Sequence, residues 1–295
     1  MSRLISAEGF YRYPSNERAF REDTHFINVS NNLFGVADGN SAAYSPKNPP
    51  LLYREGLTGG SMTASVFSSW GLETKFDSVE RFVITANRRI LREHQDKCKD
   101  PTKGNDVGGA SFAACKLNDN KLDFIIGGDC FLAAQTKDGC KFWHGFDDAA
   151  FETEQADNMA GYAVCLEQTK TAEKPEGDKG LAWDMYYQKY QAKRLRCANR
   201  NVGQGGYASL NGDVELVDCW IKEEQIVSPE DTIILGTDGM LWADFRPDKD
   251  SRVFMETYLW AGLDGLLRLR DERDYLPHID RGEYPEASAV VLKFK

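Results

Sequence analysis

Four acidic positions lie at the ends of apolar, strand-like stretches of the sequence. They are Glu22-Asp23, Asp38-Gly39, Gly128-Asp129 and Asp238-Gly239. A carboxylate at a strand end projects from the edge of a rigid sheet, and a following glycine lets the backbone turn so that its carbonyl oxygen also faces a cation. Oxygen ligands of this kind favour magnesium or manganese over zinc. Each position alone is more typical of a simple turn, so the pattern predicts a cation site only where these positions meet in space.

Two of these aspartates follow stretches that are typical of a buried core. Phe34–Ala37 precedes Asp38, and Ile233–Thr237 precedes Asp238. Short apolar runs that end at turn residues indicate buried strands. We expect these two strands to lie side by side, which would bring their terminal aspartates together.

Strand-like and helix-like segments occur in separate blocks along the sequence. In the first half, the spacing predicts a hairpin of His25–Val29 and Leu33–Ala37, a helix after a capping box of Asp77 and Glu80, and antiparallel strands at Ala110–Leu117, Leu122–Ile126 and Phe131–Ala134. In the second half, it predicts a helix around Trp183–Leu195, a strand at Thr232–Leu235, a helix at Phe254–Leu267 and a closing strand at Ala287–Phe294. This order favours antiparallel sheets covered by helices. We therefore predict an α+β fold, a sandwich of two antiparallel β-sheets flanked by α-helices.

The sequence is predicted to form one domain over residues 1–295. Strand-like runs continue from beginning to end, and neither an internal repeat nor a low-complexity tract interrupts them. Residues 152–180 fit this pattern least, because they are rich in Glu, Lys, Ala and Gly. We interpret them as an irregular surface insertion.

The composition restricts the class of protein. The 295 residues are 41% hydrophobic and 28% charged, which is typical of a globular protein, and no apolar run approaches the roughly 20 residues of a membrane span. A net charge of −10 disfavours nucleic acid and anionic membranes as partners, and the basic segment Lys189–Arg200 is interpreted as a solvated helix face. Seven cysteines without CxxC spacing disfavour a disulfide framework and a zinc site. The first residues lack a secretory signal, so we predict a cytoplasmic protein.

Several motifs occur in a fixed order over nearly the whole sequence. They are Arg18–Asp23 (Arg-x-x-x-Glu-Asp), Phe34–Gly39 (Phe-Gly-Val-x-Asp-Gly), Gly108–Ser111, Ile126–Asp129, Ile234–Gly239 and Ala287–Leu292. Together they resemble the motifs of the 2C-type, metal-dependent serine/threonine protein phosphatases, the PPM family. The resemblance implies hydrolysis of phosphoserine and phosphothreonine in proteins by a water activated between two divalent cations.

The resemblance implies a role for each matching acidic residue. Asp38 would bridge two Mg²⁺ or Mn²⁺ ions, with the Gly39 carbonyl on one ion and Asp238 on the other. Glu22 and Asp23 would hold metal-bound waters. These residues combine hard oxygen donors with negative charge, as such ions require.

Three further residues complete the site that the resemblance implies. Arg18 would grip the substrate phosphate, since a planar guanidinium presents paired donors. Asp129 would be available for a third ion. Glu286 would replace the family's last metal-binding aspartate, because Pro285-Glu286 stands where that aspartate is expected.

The sequence departs from the family pattern in a way that leaves alternatives open. Asn40 follows Asp-Gly where the family usually has histidine, so a general acid for the leaving alcohol is missing. Asp280 is the nearest aspartate if the alignment before Ala287 shifts. One alternative is a catalytically impaired pseudophosphatase that acts as a binding or regulatory module. Another is a hydrolase of small phosphate esters that uses the same metal chemistry.

Overall fold

The frame of the molecule is a set of antiparallel strands. The computed structural model describes residues 4–13, 21–40, 52–53, 56–96, 108–145, 160–182, 184–186, 189, 198–200, 206–242, 244–274 and 286–295. The strands in these ranges are β1 (Leu4–Arg12), β2 (Asp23–Asn28), β3 (Leu33–Asn40), β4 (Gly109–Asn118), β5 (Lys121–Thr136), β6 (Gly139–Gly145), β7 (Ile221–Ile226), β8 (Thr232–Gly236) and β9 (Ala287–Phe294).

The strands form two sheets that share β5. The first half of β5 pairs with β4 and β7, and β4 continues to β3 and β2. The second half of β5 pairs with β6 and β8, and β8 continues to β9 and β1. The change of sheet occurs where the register shifts between Gly128 and Phe131, and Gly128 has a positive φ of 69°. One strand therefore links the two layers of the sandwich.

This shared strand corrects one prediction. Leu122–Ile126 and Phe131–Ala134 were expected to be separate antiparallel strands, but both lie in the continuous strand β5. The glycines between them bend the strand from one sheet into the other and do not reverse its direction. The two predicted hairpins, which are β2 with β3 and β4 with the first half of β5, are confirmed, as are the strands at Thr232–Leu235 and Ala287–Phe294.

Side chains alternate between the interior of the sandwich and its outer faces. Phe34 and Val36 of β3 pack between the sheets with Leu235 and Val290. Leu33, one residue earlier on β3, lies in the core under the helices of the first sheet. This period of two is what a strand buried on both faces requires. The predicted α+β sandwich is confirmed.

The helices cover the outer faces of both sheets. Helices α1 (Gly59–Glu73) and α2 (Val79–Gln95) pack on the first sheet, and the long α3 (Pro247–Asp274) packs on the second. Helix α3 contains the predicted helix Phe254–Leu267 and is interrupted at Gly262, which has a positive φ of 67°. Helix α1 was not predicted, because its glycines and serines give it a low intrinsic helix propensity.

The start of α2 differs by one residue from the predicted capping box. Ser78 is the N-cap, and its side chain accepts a hydrogen bond of 3.1 Å from the Arg81 backbone N–H. Asp77, the expected cap, instead forms an ion pair with the Arg81 side chain at 3.1 Å. Both residues are good caps, so the sequence alone does not distinguish them.

Other predictions lie partly outside the described residues. The predicted helix around Trp183–Leu195 and the basic segment Lys189–Arg200 are described only in part. In the predicted insertion, 152–180, the structure shows a helix at residues 160–168. The single domain and the extent of the insertion stay predictions. The described cysteines, Cys115, Cys130, Cys140, Cys165 and Cys219, are all free thiols. Among the described helices, none combines the length and the apolar character that crossing a membrane requires.

Candidate metal centre

Three aspartates from different strands meet at one end of the sandwich. One carboxylate oxygen from each of Asp38, Asp129 and Asp238 lies within 4.8 Å of the other two. Asp38 is near the end of β3, Asp129 lies in the bend of β5, and Asp238 opens the short 3-10 turn after β8. We call these three residues the aspartate cluster.

The sheet register explains why the cluster forms. Phe131 of β5 pairs with Gly236 of β8, so Asp129 and Asp238 each lie two residues beyond this pair on the same side. Asp38 pairs with Ser111 of β4, and Gly128 fits directly against Ser111, since a Cβ on Gly128 would lie 2.2 Å from the Ser111 hydroxyl oxygen. The bend of β5 therefore places Asp129 next to the end of β3 and the end of β8.

The electrostatics of the cluster suit a divalent cation. Burial raises the pKa of Asp38 well above its usual range, and the negative charges of Asp23, Asp238 and Asp129 raise it further. Such crowded carboxylates repel each other unless protons or cations compensate their charge. The donors are all hard oxygens, as Mg²⁺ and Mn²⁺ prefer. The residues present therefore fit the ions that the resemblance implies.

Asp23 joins the cluster from the neighbouring strand. It pairs with Asp38 across β2 and β3. The hydroxyl of the buried Thr237 donates a hydrogen bond of 2.6 Å to Asp23 Oδ2 and accepts one of 2.9 Å from the Ser288 backbone N–H. Burial and the nearby charge of Glu286 raise the pKa of Asp23 well above its usual range. Thr237 thus fixes the position of a second acidic residue next to Asp38.

Close backbone packing explains the glycine after Asp38. A Cβ on Gly39 would lie 2.6 Å from the Gly60 carbonyl oxygen and 2.7 Å from the Glu22 carbonyl oxygen. The Gly39 N–H donates a hydrogen bond of 3.0 Å to Glu22 O. The Glu22 side chain accepts a hydrogen bond from Thr58, the N-cap of α1. The first turn of α1 therefore fits against the end of β3 only because both Gly39 and Gly60 lack side chains.

Glu286 contacts protein groups with both carboxylate oxygens. The Tyr11 hydroxyl donates to Oε1, and the Glu22 backbone N–H donates to Oε2 at 2.9 Å. Burial raises the pKa of Glu286 above its usual range. The Glu286 carbonyl also packs on the turn after β8, since a Cβ on Gly239 would lie 1.8 Å from it. Glu286 does not belong to the aspartate cluster, and its predicted role as a metal ligand stays a prediction.

Of the other predicted site residues, some lie outside the described residues and others lie beside the cluster. Arg18, Asp280 and Pro285 lie outside the described residues. Asn40 ends β3 directly beside the cluster, and its side-chain nitrogen is buried with no hydrogen-bond partner in the described part of the chain. The metal-bridging role of Asp38, the roles of Gly39, Glu22 and Asp238, and the third-ion role of Asp129 stay predictions that this geometry supports.

Sequence reasoning missed three residues that hold the acidic side chains in place. They are Tyr11, Thr58 and Thr237, which contact Glu286, Glu22 and Asp23 respectively. Tyr11 and Glu286 are 275 residues apart in the sequence. A hydroxyl in a strand or at a helix start carries no local signal of such a distant contact, so only Thr58 was accessible, as an N-cap before α1.

Comparison with known proteins establishes the fold. No protein-family model matches the chain, and neither does any curated protein. Solved structures do match over the full length. The catalytic domain of the serine/threonine protein phosphatase PstP with two manganese ions has a TM-score of 0.55 at 13% identity, and covers 100% of this chain and 99% of its own.

Two further phosphatase structures agree with this match. The Mycobacterium tuberculosis phosphatase PstP/Ppp has a TM-score of 0.55 at 12% identity, with 98% of both chains covered. Stp1 from Staphylococcus aureus has a TM-score of 0.53 at 11% identity, with 99% of this chain and 96% of that chain covered. The chain therefore has the fold of the PPM serine/threonine phosphatases, and the resemblance predicted from the motifs is confirmed for the fold.

Proposed function

We propose that this protein is a metal-dependent serine/threonine protein phosphatase that hydrolyses phosphate monoesters on protein side chains. The observation that carries the proposal is the convergence of Asp38, Asp129 and Asp238 within 4.8 Å at the end of a PPM-type sandwich. The PstP match, described as a complex with two manganese ions, supports Mn²⁺ or Mg²⁺ as the cofactor. Two ions are proposed, with Asp129 as a ligand of a third.

Each residue of the site has a separate proposed role. Asp38, Asp129 and Asp238 would hold the cations, which when bound supply an activated water and neutralise charge on the phosphoryl oxygens. Thr237 keeps Asp23 facing Asp38 through its hydrogen bond of 2.6 Å. Arg18 is proposed to bind the phosphoryl group, because a guanidinium offers two parallel donors.

Asn40 affects how the leaving alcohol is protonated. Its amide donates hydrogen bonds but has no proton to transfer near neutral pH. The alcohol released from phosphoserine or phosphothreonine must therefore take its proton from solvent. This makes substrates with acidic leaving groups, such as para-nitrophenyl phosphate, less dependent on this position than phosphopeptides.

The proposed substrate is a phosphorylated protein, and the proposed setting is signalling in the cytoplasm. The net charge of −10 supports a protein partner over nucleic acid or an anionic membrane. The related structure of PppA is described as a key regulatory component of a secretion system in Pseudomonas aeruginosa, which is consistent with a regulatory phosphatase.

The test is Mn²⁺-dependent hydrolysis of para-nitrophenyl phosphate and a phosphothreonine peptide. We expect Asp38→Asn and Asp238→Asn to reduce kcat/KM by more than the roughly 100-fold seen for residues that only support ligands. Asp138→Asn, in the turn between β5 and β6, is the control and should retain activity. Mn²⁺ binding is measured in parallel by calorimetry.

A second candidate function is favoured by Asn40. If the wild type binds Mn²⁺ and a phosphopeptide but hydrolyses neither substrate, the protein is a pseudophosphatase that binds phosphoproteins. If it hydrolyses only small phosphate esters, the narrower hydrolase alternative is correct.

A further inference from the structure

Tyr13 and Arg21 form an exposed pair at the rim of the candidate metal centre. The guanidinium carbon of Arg21 lies 4.1 Å from the centroid of the Tyr13 ring, and Tyr13 is 56% exposed. The Tyr13 ring packs edge-on against Tyr11, with ring centroids 4.8 Å apart, and Tyr11 donates to Glu286. Tyr11 and Tyr13 therefore form a chain of contacts between Glu286 and the exposed Arg21. We call Tyr13 and Arg21 the rim pair.

Hydrogen bonds fix the backbone at Arg21 and at the residue after it. The Arg21 carbonyl accepts a hydrogen bond of 2.6 Å from Ser61 in the first turn of α1. The next N–H, that of Glu22, donates to Glu286. A guanidinium that stacks on an aromatic face directs its N–H donors sideways, away from the ring. The rim pair therefore presents a fixed set of donors next to the acidic site.

Arg21 lies near the acidic site. Burial raises the pKa of Glu286 and of Tyr11, and the positive charge of Arg21 opposes both shifts. Within the part of the chain that the structure describes, however, its side chain forms no hydrogen bond or ion pair, and its contact is the stack on Tyr13. An exposed arginine in this state can bind an anionic group on a ligand.

We propose that Arg21, stacked on Tyr13, selects substrates that carry a carboxylate or a second phosphate group beside the phosphorylated residue. This inference rests on the proposed function. Arg21 lies two residues before Asp23, which pairs with Asp38. Consecutive residues of an extended peptide are about 3.3 Å apart, so a peptide with its phosphoryl group at the aspartate cluster would have a neighbouring side chain within reach of the rim pair. The net charge of −10 repels an acidic peptide, and the rim pair supplies a local attraction.

The experiment measures binding separately from turnover. It compares two phosphothreonine peptides, one with Glu and one with Gln on both sides of the phosphothreonine, together with their non-hydrolysable phosphonate analogues. Fluorescence anisotropy in Mn²⁺ gives the affinity for the analogues, and kcat and KM are measured for the peptides. We expect the wild type to prefer the Glu peptide about threefold to fivefold, as for one exposed ion pair, with the effect in KM.

Variants of the rim pair test the assignment. Arg21→Gln should remove the preference, Arg21→Lys should restore part of it because the charge is kept, and Tyr13→Ala should weaken it because the stack is lost. Arg81→Gln, on the exposed face of α2, is the matched control and should keep the preference. Unchanged preference in Arg21→Gln, or none in the wild type, overturns the inference.

The outcomes also separate this inference from the proposed function. If the wild type hydrolyses the peptides with no preference, the inference is wrong and the phosphatase function stands. If the wild type prefers the acidic analogue but hydrolyses neither peptide, the inference stands and the phosphatase function is wrong. If the wild type neither binds the analogues nor hydrolyses the peptides, both are wrong.

Discussion

The aspartate cluster and Glu286 are neighbouring carboxylate groups with opposite surroundings. Around Asp38 the neighbours are other carboxylates, and burial together with their charges raises its pKa. Around Glu286 the neighbours include two donors, the Tyr11 hydroxyl and the Glu22 N–H. Two protein donors thus stabilise the carboxylate of Glu286, whereas the carboxylates of the cluster require protons or a cation to compensate their charge. The distribution of hydrogen-bond donors, more than the number of carboxylates, therefore distinguishes a cation site from a structural contact.

The largest expected effect is the stabilisation of the cluster by metal. Mn²⁺ should raise the free energy of unfolding of the wild type, by about 2.7 kcal/mol at a concentration 100 times its Kd. Asp38→Asn should lose most of this gain, because a central ligand is removed. Thermal unfolding with and without Mn²⁺ measures both values. An equal gain in the wild type and Asp38→Asn would show that Mn²⁺ binds elsewhere.

The next effect concerns pH in the absence of metal. Asp38 has a raised pKa in the folded protein, against about 3.9 in an unfolded chain. Its contribution to stability is therefore fully present below about pH 4 and is lost as the pH rises through the folded-state value. We expect Asp38→Asn to become more stable than the wild type as the pH rises from 4 to 7. Urea unfolding in EDTA tests this, with Asp138→Asn as a control that should show no such trend.

A smaller effect is expected for substitution of Glu286, and it distinguishes a structural contact from a metal ligand. Glu286→Gln keeps the shape of the side chain but mismatches one donor, which costs about 1–3 kcal/mol. If Glu286 is only a structural contact, Mn²⁺ affinity should change by less than tenfold and stoichiometry should stay the same, as for Tyr11→Phe. Calorimetric titration measures both quantities. Loss of one Mn²⁺ per chain would instead confirm Glu286 as the metal ligand predicted from the sequence.

The smallest effect is expected at Asn40. Asn40→His introduces a group that can donate a proton. This should raise kcat for a phosphothreonine peptide several-fold, a small part of the roughly 100- to 10,000-fold that a well-positioned general acid contributes. Hydrolysis of para-nitrophenyl phosphate should change little. An equal change for both substrates would mean that position 40 affects packing against α1 and not leaving-group departure.

The sequence predicted the fold well where the chemistry is local. The short apolar runs of β3 and β8 and the Asp-Gly turns after them predicted that Asp38 and Asp238 meet, and their carboxylates do lie together. The prediction that the two strands lie side by side was wrong, because β3 pairs with β2 and β4 in one sheet and β8 pairs with β5 and β9 in the other. The continuity of β5 was missed, because Gly127-Gly128 reads as a turn in the sequence and as a bend in the structure. The contacts of Glu286 were also missed, because they join segments hundreds of residues apart and depend on the register of β1 with β9.

The pairing of β1 with β9 has a consequence for the order of assembly. The register runs from Leu4 opposite Phe294 to Arg12 opposite Ala287, so two segments at distant points of the sequence form adjacent strands. Contacts of such long sequence separation close large loops and tend to form late and slowly. During synthesis on a ribosome, Tyr11 would emerge long before its partner Glu286. The corner beside the aspartate cluster can therefore close only after β9 has been made, and a nascent chain would lack it until then.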